Sequence, residues 1–153
     1  ESTPQDWEPF LRVNLYGVLN CTRAVLPGMI ATKWGRIVTI VSDAGRVGDP
    51  SSAVYAGAKA GAAGFTRSVA LEHGRHGITA NNIALGTMRT PITESLWAEP
   101  DSSQAKAILQ NYVVRRPGLP DDVAPLAVLL AGDQGAWITG QTIPVNGGFS
   151  FAQ

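Results

Sequence analysis

A tyrosine and a lysine stand four positions apart in Tyr55-Ala56-Gly57-Ala58-Lys59. On a helix this spacing puts a phenol and an ammonium on one face, within reach of each other. A free tyrosine has a pKa near ~10 and is a poor base at neutral pH. A neighbouring positive charge favours the phenolate and moves it toward the range in which acid–base catalysis is efficient. Such pairs also arise by chance in many helices, so this one gains meaning only from its company. Ser42 lies 13 residues upstream, at the end of an apolar run. A hydroxyl there can donate to a carbonyl oxygen and stabilise charge developing on it, although serines at strand ends more often satisfy a backbone group. Asn14 is the fourth polar residue of interest, an amide in an otherwise apolar stretch. If buried it must find hydrogen-bond partners, a water among them; otherwise it faces solvent.

The elements that would position these groups can be read from periodicity. Thr3-Pro4 reads as a helix start, with Thr3 as N-cap and Asp6 and Glu8 in the positive first turn. Apolar residues from Trp7 to Leu26 recur at helical spacing and predict a helix to about Lys33, with Pro27 as a point of kinking. Arg36 to Val41 is β-branched and almost wholly apolar, which predicts a strand buried on both faces in a parallel sheet. A second helix is expected from Ser51 to His73, closed by Gly74 as C-cap. A strand from Ile78 to Ile83, a helix from Asp121 to Leu130 and a strand from Thr142 to Val145 complete the pattern. Between them, residues 90–120 are polar and irregular, long enough to hold short helices and to act as a lid. Alternating strands and helices of this kind form right-handed crossovers in a doubly wound sheet. Ligands in such sheets bind beyond the carboxyl ends of the strands, here the loops after Val41 and Ile83.

The composition narrows the function. At 153 residues the chain fits one domain, 1–153, with a core of its own. Lys plus Arg and Asp plus Glu both number 12, so the charge balance points to neither nucleic acid nor an anionic membrane as partner. No run approaches the roughly 20 apolar residues of a membrane span. The polar, acidic first residues lack the pattern of a signal peptide. The single Cys21 suits a reducing cytoplasm and reads as a small packed side chain.

Asn14, Ser42, Tyr55 and Lys59 resemble, in order and spacing, the Asn-Ser-Tyr-Lys tetrad of the short-chain dehydrogenase/reductase family. Arg12-Val13-Asn14-Leu15-Tyr16-Gly17, Gly35-Arg36-Ile37-Val38, Ser42-Asp43-Ala44-Gly45, Ile138-Thr139-Gly140-Gln141-Thr142 and Val145-Asn146-Gly147-Gly148 are similar to further family motifs. The nearest likeness is to the branch of 3-oxoacyl-carrier-protein reductases and cyclic-alcohol dehydrogenases. The resemblance implies an α/β Rossmann-type doubly wound parallel sheet and hydride transfer between NAD or NADP and a small-molecule alcohol or ketone. Tyr55 would be general acid and base, Lys59 would bind the nicotinamide ribose, Ser42 would polarise the carbonyl, and Asn14 would hold a relay water. Gly86, Met88 and Thr90 would meet the nicotinamide, with Leu85 departing from the proline the family usually carries. Ser42, Ala44, Leu96 and Trp97 would touch substrate.

The family's phosphate-gripping glycine turn and its first four strands have no counterpart here, so the chain reads as a carboxyl-terminal half with a bare apolar edge along Ile37–Val41. Gly57-Ala58-Lys59-Ala60-Gly61-Ala62-Ala63-Gly64 mimics such a turn but lies within a helix. Glycine inside a helix costs up to about 1 kcal/mol against alanine, so another backbone is expected to approach here; the resemblance implies that it is the partner's helix in a homodimer or homotetramer. The rival expectation is an inactive remnant that keeps the fold and self-associates without cofactor. Trp7, Trp34 and Trp137 are read as packing residues, Arg115-Arg116 as a solvated pair or an attractor of anionic substrate, and His73 and His76 as helix-end charges rather than metal ligands.

Overall fold

Three parallel strands lie side by side in the order β1 (Gly35–Ser42), β2 (Ile78–Leu85) and β3 (Thr142–Val145). The structure is a computed structural model that describes residues 2–99 and 102–151. Pro100 and Asp101, inside the expected lid, lie outside the described residues. The register pairs Ser42 with Leu85 and Leu85 with Val145, so the carboxyl ends of all three strands finish level. Loops that leave them therefore open on one edge of the sheet, which is where the chemistry-bearing residues fall.

Alternation along each strand builds the layers. Ile37 and Val41 of β1, with Ala80 and Ala84 of β2, pack on one face against helix α4 (Ala53–His73) and the first helical stretch. Helix α4 presents Ala58, Ala62, Ala63 and Ala70 to the interior, and these small side chains let it sit close to the sheet. Thr39 and Thr66 hydroxyls bond across the same layer at 3.0 Å. On the other face Val38, Ile83, Leu85, Ile143 and Val145 pack with Val123, Leu126 and Leu130 of helix α7 (Pro120–Ala131). The result is the expected α/β sheet covered on both faces.

Several boundaries differ from the sequence reading, each for a physical reason. The first helix starts as expected, with Thr3 and Asp6 closing a capping box. It then runs as α1 (Pro4–Leu11), a π-helical turn at Arg12–Tyr16 and α2 (Gly17–Thr32). Single π turns within helices concentrate at functional sites, and this one is centred on Asn14. Gly74 is the C-cap of α4 as expected, but in the αR rather than the left-handed conformation, at φ −54°; it enters a 3-10 turn, and Gly77 at φ +72° makes the reversal. A Cβ at Gly77 would also lie 2.4 Å from the Lys33 carbonyl oxygen, so both backbone angle and space demand glycine there.

Burial on both faces, expected of Arg36–Val41 in β1, is found instead in β2, whose residues Ile78–Ala84 are all buried. Among the described residues β1 has a neighbouring strand on one side only, and its Ile40 is 43% exposed. The glycines of α4 do not meet another backbone within the chain. A Cβ at Gly57 would meet nothing within 4 Å, and one at Gly61 would meet only the Leu15 side chain at 3.4 Å. The close approach occurs at Gly45 in the short helix α3 (Ala44–Val47), where a Cβ would sit 2.8 Å from the Ala60 nitrogen of α4. Cys21 is exposed rather than packed. Trp137 is 99% exposed, and Trp34, half exposed, carries the Arg36 guanidinium 5.0 Å above its ring.

Candidate active site

The loops after β1 and β2 enclose a cavity of about 650 Å³. Ser42 and Ala44 reach it from the end of β1, and Tyr55 and Lys59 from the first turns of α4. Gly86, Met88 and Thr90 reach it from the segment after β2. The level strand ends, together with Gly45 letting α3 lie directly on α4, bring the serine and the Tyr–Lys pair to one wall. The Ser42 hydroxyl accepts from the Ala44 amide at 3.2 Å, which leaves its proton free to donate elsewhere. The Lys59 ammonium lies 5.7 Å from the centre of the Tyr55 ring and donates to the Ile40 carbonyl at 3.0 Å. Burial pushes the Lys59 pKa below its usual 10.5, because desolvation disfavours the charged form.

The arrangement suits proton exchange with an oxygen in the cavity and argues against a nucleophilic serine. Such a serine needs a base within hydrogen-bond reach, usually histidine. The two histidines of the sequence, His73 and His76, are at the far end of α4, and 18 residues of helix from Tyr55 to His73 span roughly 27 Å. On the wall beside Ser42, the Tyr55 phenol with its neighbouring Lys59 ammonium can serve as an acid–base pair.

Asn14 is not among the lining residues; its side-chain nitrogen donates to the Phe10 carbonyl at 3.1 Å, within its own helix. Leu96 and Trp97, expected to touch substrate, are also off the cavity wall. Trp97 is 3% exposed, in the short helix α5 (Glu94–Trp97), and its indole nitrogen has no hydrogen-bond partner. The lid side of the cavity is formed instead by Gln104, Ala107 and Ile108 of α6 (Ser103–Leu109), by Asn111 and Tyr112 just beyond it, and by Phe149 from the segment after β3. Both members of the Arg115-Arg116 pair are engaged: Arg115 with the Gln110 carbonyl at 2.7 Å, Arg116 with the Asp122 carboxylate at 2.6 Å. Neither lines this cavity.

Two residues that sequence reasoning passes over tie the cavity walls together. Asp43, 2% exposed, receives Asn146 Nδ2 and Ser150 Oγ on Oδ2 at 2.5 and 2.9 Å, and Arg46 Nη1 on Oδ1 at 2.5 Å. It fastens the segment bearing Phe149 to the loop bearing Ser42. Tyr112, 5% exposed, accepts from the Thr87 amide at 2.7 Å and donates to the Thr87 hydroxyl at 2.8 Å, and its ring packs 5.2 Å from that of Phe149. For Asp43 the available signal is an acidic residue directly after the candidate serine. Tyr112, in the irregular stretch, carries no periodic signal.

The chain is similar to known proteins over nearly its whole length. A family model described as enoyl-(acyl carrier protein) reductase matches residues 1–150. A 3-oxoacyl-[acyl-carrier-protein] reductase from Synechocystis is 45% identical over 145 residues, covering 94% of this chain and 56% of that protein. An acetoacetyl-CoA reductase from Shinella zoogloeoides is 39% identical over 149 residues, covering 97% of this chain and 61% of that protein. A crystal structure of a provisionally assigned gluconate dehydrogenase from Agrobacterium tumefaciens superposes with a TM-score of 0.90 at 30% identity, covering 97% of this chain and 58% of that one. The chain thus spans a little over half the length of the relatives it matches.

Proposed function

This chain belongs to the short-chain dehydrogenase/reductase family, and from that membership we propose that the protein carrying it is an NAD- or NADP-dependent oxidoreductase that interconverts a secondary alcohol and a ketone. The single observation that carries the reading is the shared cavity of Ser42, Tyr55 and Lys59 at the level ends of the strands.

The residues present fit the nicotinamide end of such a cofactor. Lys59 uses one of its three donors on Ile40 and keeps two for ribose hydroxyls, beside the Tyr55 phenol. Gly86, Met88 and Thr90 edge the same cavity and would hold the carboxamide side. When bound, the cofactor supplies or accepts the hydride; everything else falls to the protein. In the reducing direction Tyr55 gives its phenolic proton to the substrate carbonyl oxygen, and in the oxidising direction it takes that proton back. Ser42 donates to the same oxygen, aimed by the Ala44 amide on its lone pair. Lys59 stabilises the negative charge that Tyr55 carries between the two proton transfers. Asn14, on the π turn against which α4 packs, is assigned the water that links Lys59 to solvent.

The relatives are named for 3-oxoacyl and acetoacetyl thioesters. Support for an oxoacyl substrate here comes from the Ala107, Ile108 and Phe149 side of the cavity, which offers apolar contact next to the polar wall. Self-association as a homodimer or homotetramer belongs to the same proposal, supported by Phe10, Val13 and Tyr16 exposed along the first helical stretch at 46, 70 and 46%. No helix among the described residues is long and apolar enough to cross a membrane.

The test is a titration of the purified chain with NADH and NADPH, followed by quenching of tryptophan fluorescence. Saturable binding weakened by Lys59→Ala is expected. A folded chain that binds neither nucleotide would mean that further residues are required to hold the cofactor, and the oxidoreductase activity would then belong to a longer parent protein.

A further inference from the structure

We propose that Tyr112 is a positioning residue for the turn Leu85-Gly86-Thr87-Met88 at the cavity wall, holding its Thr87 by main chain and side chain. The inference rests on the oxidoreductase reading for the role of the turn, but its geometry is independent of it.

Five contacts converge on this turn. The Tyr112 hydroxyl engages both main chain and side chain of Thr87: the Thr87 amide donates to it and it donates to the Thr87 hydroxyl. The Thr87 carbonyl is occupied by the Gly118 amide at 3.1 Å, so the three polar groups of Thr87 are all held. The Tyr112 ring fills the space beside Gly86, where a Cβ would lie 2.9 Å from its Cε1 and 3.2 Å from the Asn146 backbone. The Gly86 amide in turn donates to the Val145 carbonyl at 3.3 Å.

Leu85 ends β2, paired with Ser42 on one side and Val145 on the other, and the turn begins where that pairing stops. The buried phenol holds Thr87 there through two hydrogen bonds of good length from a ring that cannot move without displacing Phe149. The turn and Tyr112 also form the partition between the 650 Å³ cavity and a second one of about 320 Å³ behind it, since both are lined by Gly86, Thr87, Met88 and Tyr112. A turn loosened here would have room to retreat into that second cavity, carrying Met88 away from the site.

The test uses the protein as its gene encodes it, with two readouts. In Tyr112→Phe, which keeps the ring and the packing, amide hydrogen exchange at Thr87 and Met88 is expected to rise by about tenfold or more, the value of one lost hydrogen bond to a buried donor. The dissociation constant for NADH or NADPH should rise by a similar factor, while that for ADP-ribose, which lacks the nicotinamide, stays within about twofold. Unchanged exchange at Thr87 and Met88 in Tyr112→Phe overturns the proposal, as does an equal loss of affinity for ADP-ribose. If the unsubstituted protein binds no dinucleotide, the oxidoreductase reading fails, and the exchange result still decides whether Tyr112 holds the turn.

Discussion

Replacing Asp43 by alanine is expected to be among the most damaging single changes in the chain, although the residue is not assigned a role in proton transfer. Its carboxylate is 2% exposed and accepts three side-chain hydrogen bonds, from Asn146, Ser150 and Arg46. Hydrogen bonds to a charged group are worth about 1.5–3 kcal/mol each, so simple addition would overshoot. Asn146 keeps its bond to the Ser150 carbonyl, and Arg46, whose side chain is 12% exposed, can turn toward solvent. What remains is the cost of breaking one buried ion pair from one side, about 3–5 kcal/mol. With a urea slope of about 2 kcal/mol per molar, this lowers the unfolding midpoint by about 2 M. Asp43→Asn keeps the shape and one acceptor, and should fall between wild type and Asp43→Ala. Tryptophan fluorescence in a urea series measures both. A midpoint for Asp43→Ala within about 0.3 M of wild type would show that the buried network does not hold the β1 loop to the segment after β3, and the reasoning would fail.

The glycines give a paired prediction. Gly45→Ala forces a methyl against the α4 backbone and should destabilise by about 1–3 kcal/mol, whereas Gly57→Ala meets nothing and should stabilise the helix by up to about 1 kcal/mol; thermal unfolding of both variants decides it. Because burial depresses the Lys59 pKa, the folded chain binds fewer protons than the unfolded one just below 10.5. Stability should therefore rise with pH on approaching that value, and Lys59→Met should flatten the rise in denaturant midpoints measured between about pH 8 and about pH 10. Asp122 acts at the acid end of the scale: its bonds to Arg116 and the Leu119 amide hold its pKa down to about 2, so its contribution is present above 3.8 and lost as the pH falls through about 2. Acid titrations of Asp122→Asn should lack that loss.

The site is easier to find in the sequence than the fold that surrounds it. Tyr55 and Lys59 are legible because their spacing is a helical property, and Ser42 because an apolar run ends on it; both signals are local. β3 is legible to the residue, bounded by Gln141 and Asn146. The burial of β1 is not, because composition reports what a strand is made for, while exposure depends on which neighbour is present, and among the described residues β1 has one only. The same limit hides the turn at Gly77, whose need for glycine comes from the distant Lys33 carbonyl. Substrate-side residues are the hardest. Trp97 draws attention by its size, yet it is buried, and Tyr112 is tied to the cavity wall through Thr87, 25 positions earlier, while Phe149 reaches it from the segment after β3. Asp43 is in plain view beside Ser42, but its partners Asn146 and Ser150 lie more than 100 positions later.

The central claim is that Tyr55 moves the proton in an alcohol–ketone interconversion. Its most direct test is the rate of NADPH- or NADH-dependent reduction of acetoacetyl-CoA by the protein as its gene encodes it, compared with Tyr55→Phe. The account predicts a measurable rate that falls by about 10²–10⁴-fold when the hydroxyl is removed, with nucleotide binding retained. A Tyr55→Phe protein that turns over at the wild-type rate would contradict it.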